Sequence, residues 1–313
     1  MWPTMLKGLH PWRIPLQTVG PVALRVLGST SFGSVCAVFR HTFYVQATTG
    51  VFCIGTSNLY DGPLNVITAA PVTTDWWASG VRLGQTARLG PRNLAVGSNL
   101  IFPLEDVQPW SPPVFHHPKP RISLEELHKL RLAAVGRVPR DSFFCLFNST
   151  SNVSKHLQMA IRAHSVISRF RVELELAFQG RQELRAEALD LTLIVGMGPG
   201  LTPSGDDFIG GIMMGLCAVG YEAVAAKIWR CVEVGLKNRS NLISIAHLEA
   251  AASGMAASKL HDIANALCLG EVVNNEMLSG IGSIGHTSGW DALAGMITVF
   301  EVLALSCRAG CGA

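Results

Sequence analysis

Six prolines fall within the eighteen residues from Pro103 to Pro120, at positions 103, 109, 112, 113, 118 and 120. Proline fixes φ and has no amide hydrogen to donate, so neither a helix interior nor a central strand can run through such a stretch. The chain therefore divides there, and its two sides carry different patterns. From about Val19 to Phe102, short runs rich in Val, Thr and aromatics (VALRVLGST, SVCAVFRHTFYVQA, GVFCIGT, LNVITAAP) alternate with Gly, Pro and Asn-Leu-Tyr-Asp-Gly, which is the pattern of strands and turns. Beyond the prolines the apolar period becomes helical. Ser123-Leu-Glu-Glu126 is a capping box that predicts a helix from Leu124 to near Gly136. A longer amphipathic helix is expected from Val153 to Phe178, with Leu157, Ile161, Val166, Phe170, Leu174 and Phe178 on one face and Gly180 as its stop. Phe208 to Trp229, Leu242 to Leu267 and Asp291 to Ser306 read as packed helices, and Leu191 to Val195 as the one candidate strand. The expected fold class is α+β: a mostly β domain over 1–105, a Pro-rich linker over 106–120 and a mostly α-helical domain over 121–313.

Composition narrows the function. With 313 residues, 49% of them hydrophobic and 15% charged, the chain can bury a large core. A net charge of +3 with no block of like charge lacks the basic stripe of a nucleic-acid binder. The mean hydropathy of +0.32 raises the possibility of a membrane span. However, the apolar stretches Phe208 to Tyr221 and Ala292 to Phe300 end at Glu222 and Glu301, short of the roughly 18 residues a span needs. The opening MWPTMLKGLHPWRIPL lacks the continuous apolar run of a signal peptide. Eight scattered cysteines with no Cys-x-x-Cys pair read as reduced thiols, so a cytoplasmic location is expected, with no nucleic-acid or membrane partner. No His or Cys spacing makes a zinc site; His116 and His117 sit in the linker, and His247 and His261 fall inside helical patterns.

The stretch with chemical content is Gly196-Met-Gly-Pro-Gly-Leu-Thr-Pro-Ser-Gly-Asp-Asp207, which follows an apolar segment and opens an apolar helix. Backbone amides at such a turn, together with the positive end of the helix, suit an anionic oxygen. A dinucleotide fingerprint needs Gly where Leu201 stands, and a Walker loop needs a Lys that is absent. On a purely structural reading, Pro203 lies near the first helical position and Ser204 with Asp207 forms a capping box. Four glycines, two hydroxyls and two adjacent carboxylates exceed what a cap requires.

A second copy follows. Ser204-Gly-Asp-Asp-Phe-Ile-Gly-Gly and Ser288-Gly-Trp-Asp-Ala-Leu-Ala-Gly share Ser-Gly-x-Asp-x-x-x-Gly at an offset of 84 residues, from 204 to 288. Each is preceded by glycines and a hydroxyl residue, Thr202 or Thr287, and each opens an apolar helix. A duplicated helix start is useful if both ends reach one pocket, so Ser204, Ser288 and Asp291 are expected on one face. His286, in Gly-His-Thr-Ser-Gly, is placed to move a proton near neutral pH.

GMGPGLTPSGDDFIGG, SNLISIAHLEAAASG and SIGHTSGWDALAG, in this order and at these distances, resemble the three signature blocks of the AllH-type subunit of oxamate carbamoyltransferase. The resemblance covers roughly Leu193 to Met296. In its middle block the family usually shows Thr-Thr before the helix, where this chain has Ser240-Asn241. The resemblance implies a cytoplasmic transferase subunit acting with two other protein subunits in allantoin and purine-ureide catabolism, converting oxalurate and phosphate to oxamate and carbamoyl phosphate. It implies substrate and phosphate binding by Gly198, Gly200, Leu201, Thr202, Ser204, Ser240, Asn241, Thr287, Ser288 and Asp291, and catalysis by His286, Asp206 and Asp207. Asp206 is expected to be the more functional of the two aspartates. They repel a bare anion at about 4 Å by several kcal/mol, so they either hold a divalent cation such as Mg²⁺ or orient an amide or ammonium group. The alternatives are a non-catalytic metabolite-binding subunit and a metal-assisted amidohydrolase using the Asp pair.

Overall fold

A computed structural model describes residues 11–115, 120–147, 157–180 and 191–310. His116, His117, Cys311, the first ten residues and the expected start of a helix at Val153 lie outside the described residues, as do the side chains of Leu157 and Ile161. The chain divides into two compact units between Pro112 and Pro113.

The N-terminal unit is built on a ten-stranded mixed sheet, and with the helices of the C-terminal unit this makes the chain α+β. The strands are β1 (Trp12–Arg13), β2 (Leu16–Val19), β3 (Phe32–Val38), β4 (Thr42–Ala47), β5 (Gly50–Gly55), β6 (Asn65–Thr68), β7 (Thr86–Leu89), β8 (Asn93–Val96), β9 (Leu100–Pro103) and β10 (Gln108–Pro109). They lie in the order β1-β9-β8-β7-β3-β4-β5-β6-β2-β10. Strand β4 alternates buried Phe43, Val45 and Ala47 with more exposed neighbours, the mark of a strand with one face on the core. Trp76 meets Phe43 and Phe102 edge-on in that core, with its indole N–H donating to the His41 carbonyl at 2.9 Å.

Two local expectations fail here. VALRVLGST, read as a strand, forms helix α1 (Pro21–Ser29). Pro21 at its first position is preset for a helix, and Ala23, Val26 and Leu27 bury one helical stripe, so position and period override β-propensity. Gln108 and Pro109, inside the expected linker, form the edge strand β10 beside β2, where a proline deprives no neighbour of a bond.

The C-terminal unit is helical. Helix α2 (Leu124–Ala134) begins at Ser123, whose side chain accepts from the Glu125 amide, and Gly136 follows it at a φ of 82°. Helix α3 (Leu157–Phe178) buries Val166, Phe170 and Leu174 and stops before Gly180, at a φ of 66°. Leu191 to Ile194 is a 3-10 turn rather than a strand, since its residues have no sheet in this unit to join. The long apolar runs divide at left-handed glycines. Gly220 separates α4 (Ser204–Ala218) from α5 (Glu222–Arg239), and Gly254 lies between α6 (Leu242–Ala252) and α7 (Ser258–Leu269). Helix α8 (Asn275–Gly282) precedes α9 (Ser288–Gly310).

Helices α4 and α9 form the centre of this unit. Over Ser288–Cys307, α9 is long and apolar enough to cross a membrane, but most of that length is packed inside the unit. Its buried Glu301 carboxylate is shared by Arg131 of α2 and Arg171 of α3, the latter at 2.8 Å. His261 is also buried: its Nε2 accepts from the Ala256 amide at 3.2 Å and its ring stacks on Phe115. Burial lowers both His247 and His261 to about 4, so both are neutral at physiological pH.

Candidate functional site at two crossed helix starts

The crossing of α4 and α9 is set by glycine. A Cβ on Gly211 would stand 1.8 Å from the Ala292 carbonyl oxygen, and one on Gly295 would stand 2.0 Å from the Phe208 carbonyl oxygen. Residues 208 and 292, like 211 and 295, are separated by the same 84 positions as Ser204 and Ser288. Each helix thus offers its glycine to the same point of the other, which is a local two-fold relation. Such close backbone approach pins the two N-termini side by side.

The starts match in detail. Asp207 N–H donates to the Pro203 carbonyl at 3.0 Å, and Asp291 N–H donates to the Thr287 carbonyl at 2.9 Å. A glycine with positive φ leans on each opening serine: Gly198, at 115°, on Ser204 and Gly285, at 62°, on Ser288. The two loops touch, for the Thr202 and Ser288 hydroxyls lie 2.7 Å apart. Ser204, Ser288, Thr202 and Asp291 are therefore gathered in one place.

The capping box of the purely structural reading is not what starts α4. Pro203 is the capping residue and makes no side-chain bond, while Ser204 is the first helical residue, fully buried, with its hydroxyl beside the Asp291 carboxyl. Asp206 serves instead to hold the Gly-rich loop. Its Oδ1 accepts from the Gly196 amide at 2.7 Å, and its Oδ2 accepts from the hydroxyls of Ser240 and Ser244, the latter at 2.6 Å. Asn241 caps α6 through its Oδ1 and donates from Nδ2 to the Leu201 carbonyl at 2.5 Å. Ser240 and Asn241 thus tie the loop to the start of α6. Gly196 must be glycine, since a Cβ would stand 2.0 Å from the Arg239 carbonyl oxygen. Gly200, at a φ of 101°, is exposed at the tip of the loop.

Asp206 and Asp207, although adjacent, face different surroundings, and Asp207 pairs electrostatically with Asp291. Burial pushes the Asp207 carboxyl well above the usual carboxylate range. The Asp291 charge adds to that push, the hydroxyls of Ser288 and Thr202 oppose it, and Asp206 adds a smaller upward contribution. Asp291 is fully buried and pushed up to about 6 by burial, against the opposing influence of Ser142, Ser204, Thr287 and the Phe143 amide. A helix N-terminus favours an ionised carboxylate by only about 0.3–2 kcal/mol. Desolvation shifts a fully buried carboxyl by up to about 3–5 pK units, each worth about 1.4 kcal/mol, so here burial wins. Asp291 Oδ1 accepts from Ser142 Oγ at 2.7 Å and from the Phe143 amide at 2.6 Å. The Oδ2 atoms of Asp207 and Asp291 are both shut off from solvent and have no hydrogen-bond partner.

His286 lies at the rim. Its side chain is 77% exposed, and its Nε2 stands 3.4 Å from Asp141. Thr287 is buried beside Asp291. Among the described residues, no cluster of three or more His, Cys, Asp and Glu side chains is positioned to hold a metal ion. Sequence reasoning missed Ser142, the Phe143 amide, Asp141 and Ser244. The first three come from a segment about 150 residues before Asp291 with no motif of its own. Ser244, one turn after Ser240 on α6, had a signal in that spacing.

These features define a helical unit with an internally repeated helix start enclosing a buried carboxyl pair. Residues 194–300 match the model of a family described as oxamate carbamoyltransferase subunit AllH, and over that segment, about a third of the chain, the protein is similar to that family. The segment contains both helix starts. No curated protein matches the chain, and no solved structure does.

Proposed function

We propose that the chain is a subunit of a carbamoyltransferase that works with two partner subunits in purine-ureide catabolism, converting oxalurate and phosphate to oxamate and carbamoyl phosphate. The observation that carries this reading is the convergence of two helix starts on the Asp207 and Asp291 carboxyls, inside the segment that matches the family. In the reaction a phosphate oxygen attacks the carbamoyl carbon. A C–O bond forms, the C–N bond to the oxamate nitrogen breaks, and the proton lost by phosphate is balanced by one gained by that nitrogen. The step needs a held anion, hydrogen-bond donors for the oxyanion, and a proton donor.

The residues supply all three. The amides of the Gly198–Leu201 turn and the positive end of α4 suit the anion. The hydroxyls of Thr202, Ser204 and Ser288 suit the oxyanion. Asp207, whose carboxyl is pushed well above the usual carboxylate range by burial and by the neighbouring Asp291, takes the proton-donor role. Asp206 acts by positioning the loop, and His286 with Asp141 lines the entrance.

The test is turnover in the complex assembled with its partner subunits. Asp207→Asn is expected to lower the rate by roughly 10² to 10⁴, as loss of a general acid does, while His286→Gln lowers it less than about tenfold. Near wild-type turnover by Asp207→Asn overturns the assignment and makes this chain a metabolite-binding subunit. A large loss in His286→Gln alone returns the proton to the histidine.

A further inference from the structure

The two halves of the repeat serve their aspartates in matched ways. Ser288, which opens α9, acts on Asp207 of α4, and Ser204, which opens α4, acts on Asp291 of α9. Each aspartate also has the threonine of its own loop, Thr202 for Asp207 and Thr287 for Asp291. With these hydroxyls alone the two carboxyls would be equivalent, and nothing would decide which of them gives up its proton first.

The match is broken from outside the repeat. Asp291 Oδ1 accepts from Ser142 Oγ at 2.7 Å and from the Phe143 amide at 2.6 Å, and among the described residues these two donors have no counterpart at Asp207. The serine proton is aimed. Its oxygen accepts from the Phe144 amide at 3.1 Å, which leaves the hydroxyl hydrogen for Asp291. The segment is seated on both helices: Phe143 packs on Phe208, next to Asp207, and the buried Phe144 meets Trp290, next to Asp291, edge-on. A further tie runs from Asp141 to His286, 3.4 Å away and just before α9. All of these segment residues precede the stretch 194–300 that matches the family.

Hydrogen bonds from an amide and a hydroxyl favour the charged form of the carboxylate that accepts them. We propose that Ser142 and the Phe143 amide are positioning groups that make the two repeat carboxyls unequal, holding Asp291 as the one that ionises first and leaving Asp207 as the one that brings the proton to the reaction. The electrostatics agree in direction: the Asp291 charge helps to push Asp207 well above the usual range, whereas Asp291 itself rises to about 6. The other ionisable groups around the pair are Asp206 on α4, Asp141 and Cys145 on the segment, and His286 before α9. This rests on Asp207 as the proton donor and adds what selects it over Asp291.

The test follows the two carboxyls of the full chain by carbon-13 NMR and, in the complex assembled with its partner subunits, the pH profile of turnover. In wild type Asp291 is expected to ionise below Asp207, and the acid limb of the profile to follow Asp291. Ser142→Ala removes a donor to the charged form, so Asp291 and the acid limb should move up together by about one pK unit or more. Ser142→Thr keeps the hydroxyl and should return both toward wild type. If Ser142→Ala no longer unfolds cooperatively, Ser142→Cys, which keeps a weaker donor, takes its place with a shift of the same sign. A folded variant with a lower melting temperature but with Asp291 and the acid limb unmoved overturns the proposal, as does an Asp207 that ionises first in wild type. In either case a large loss of turnover in Asp207→Asn shows that the proton-donor reading survives on its own. If Asp207→Asn keeps near wild-type turnover, that reading falls and the proposal falls with it.

Discussion

Three aspartates within one site carry three different burdens, and their environments set them apart. Asp206 is 1% exposed and accepts three hydrogen bonds that pin the Gly-rich loop to α6. Asp206→Asn presents an NH₂ to groups that themselves donate, so it is expected to cost about 2 kcal/mol or more in a denaturant titration at neutral pH. A cost below about 0.5 kcal/mol would contradict the positioning role. Asp291 behaves in the opposite way. Its carboxyl is raised from about 3.8 unfolded to about 6 folded, so folding favours its protonated form. The stability it contributes is fully present below about pH 4 and is lost as pH rises through about 6. Relative to wild type, Asp291→Asn should therefore gain about 1–3 kcal/mol between pH 4 and pH 8, readable as a difference in melting free energy at the two pH values. A constant difference across that range would mean that the carboxyl is not perturbed. The sequence displayed all three residues but not their division of labour, because Asp206 and Asp207 are adjacent in the chain and only the direction in which each faces separates them.

At the scale of elements, the crossing of α4 and α9 depends on two glycines. Gly211→Ala and Gly295→Ala each drive a methyl into a backbone carbonyl of the facing helix, which cannot move as a side-chain tip can. Each is expected to destabilise by about 3 kcal/mol or more. Gly235 in α5 has open space around its Cβ position, so Gly235→Ala should instead stabilise by about 0.5–1 kcal/mol. Similar small effects at all three positions would remove the basis for the close crossing. The repeat at 84 residues was legible because Ser-Gly-x-Asp-x-x-x-Gly keeps both the helix start and the crossing glycine. The helix in VALRVLGST was not legible, since Val and Leu suit either structure and only Pro21 favours the helix. The division of the apolar runs at Gly220 and Gly254 lay in their left-handed backbone, which the residue type permits but does not announce.

For the molecule as a whole, the change of period across the proline run was a sound guide to the fold class. What it hid was β10, because two residues of edge strand carry no pattern. All the site residues named here, including Ser142 and Asp141, lie after Pro113. A chain beginning at Pro113 is therefore expected to keep its helical circular dichroism and the pH response of Asp291, and loss of either would show that the first unit is needed to form the site. The central claim is that two helix starts, 84 residues apart in sequence, build one site around Asp207 and Asp291. The most direct measurement is the carboxyl titration of Asp207, followed by carbon-13 NMR in wild type and in Asp291→Asn. Asp207 should titrate well above the usual carboxylate range in wild type and fall when the Asp291 charge is removed. An Asp207 that titrates near the ordinary value of about 3.9, or that does not respond to Asp291→Asn, would contradict the shared site.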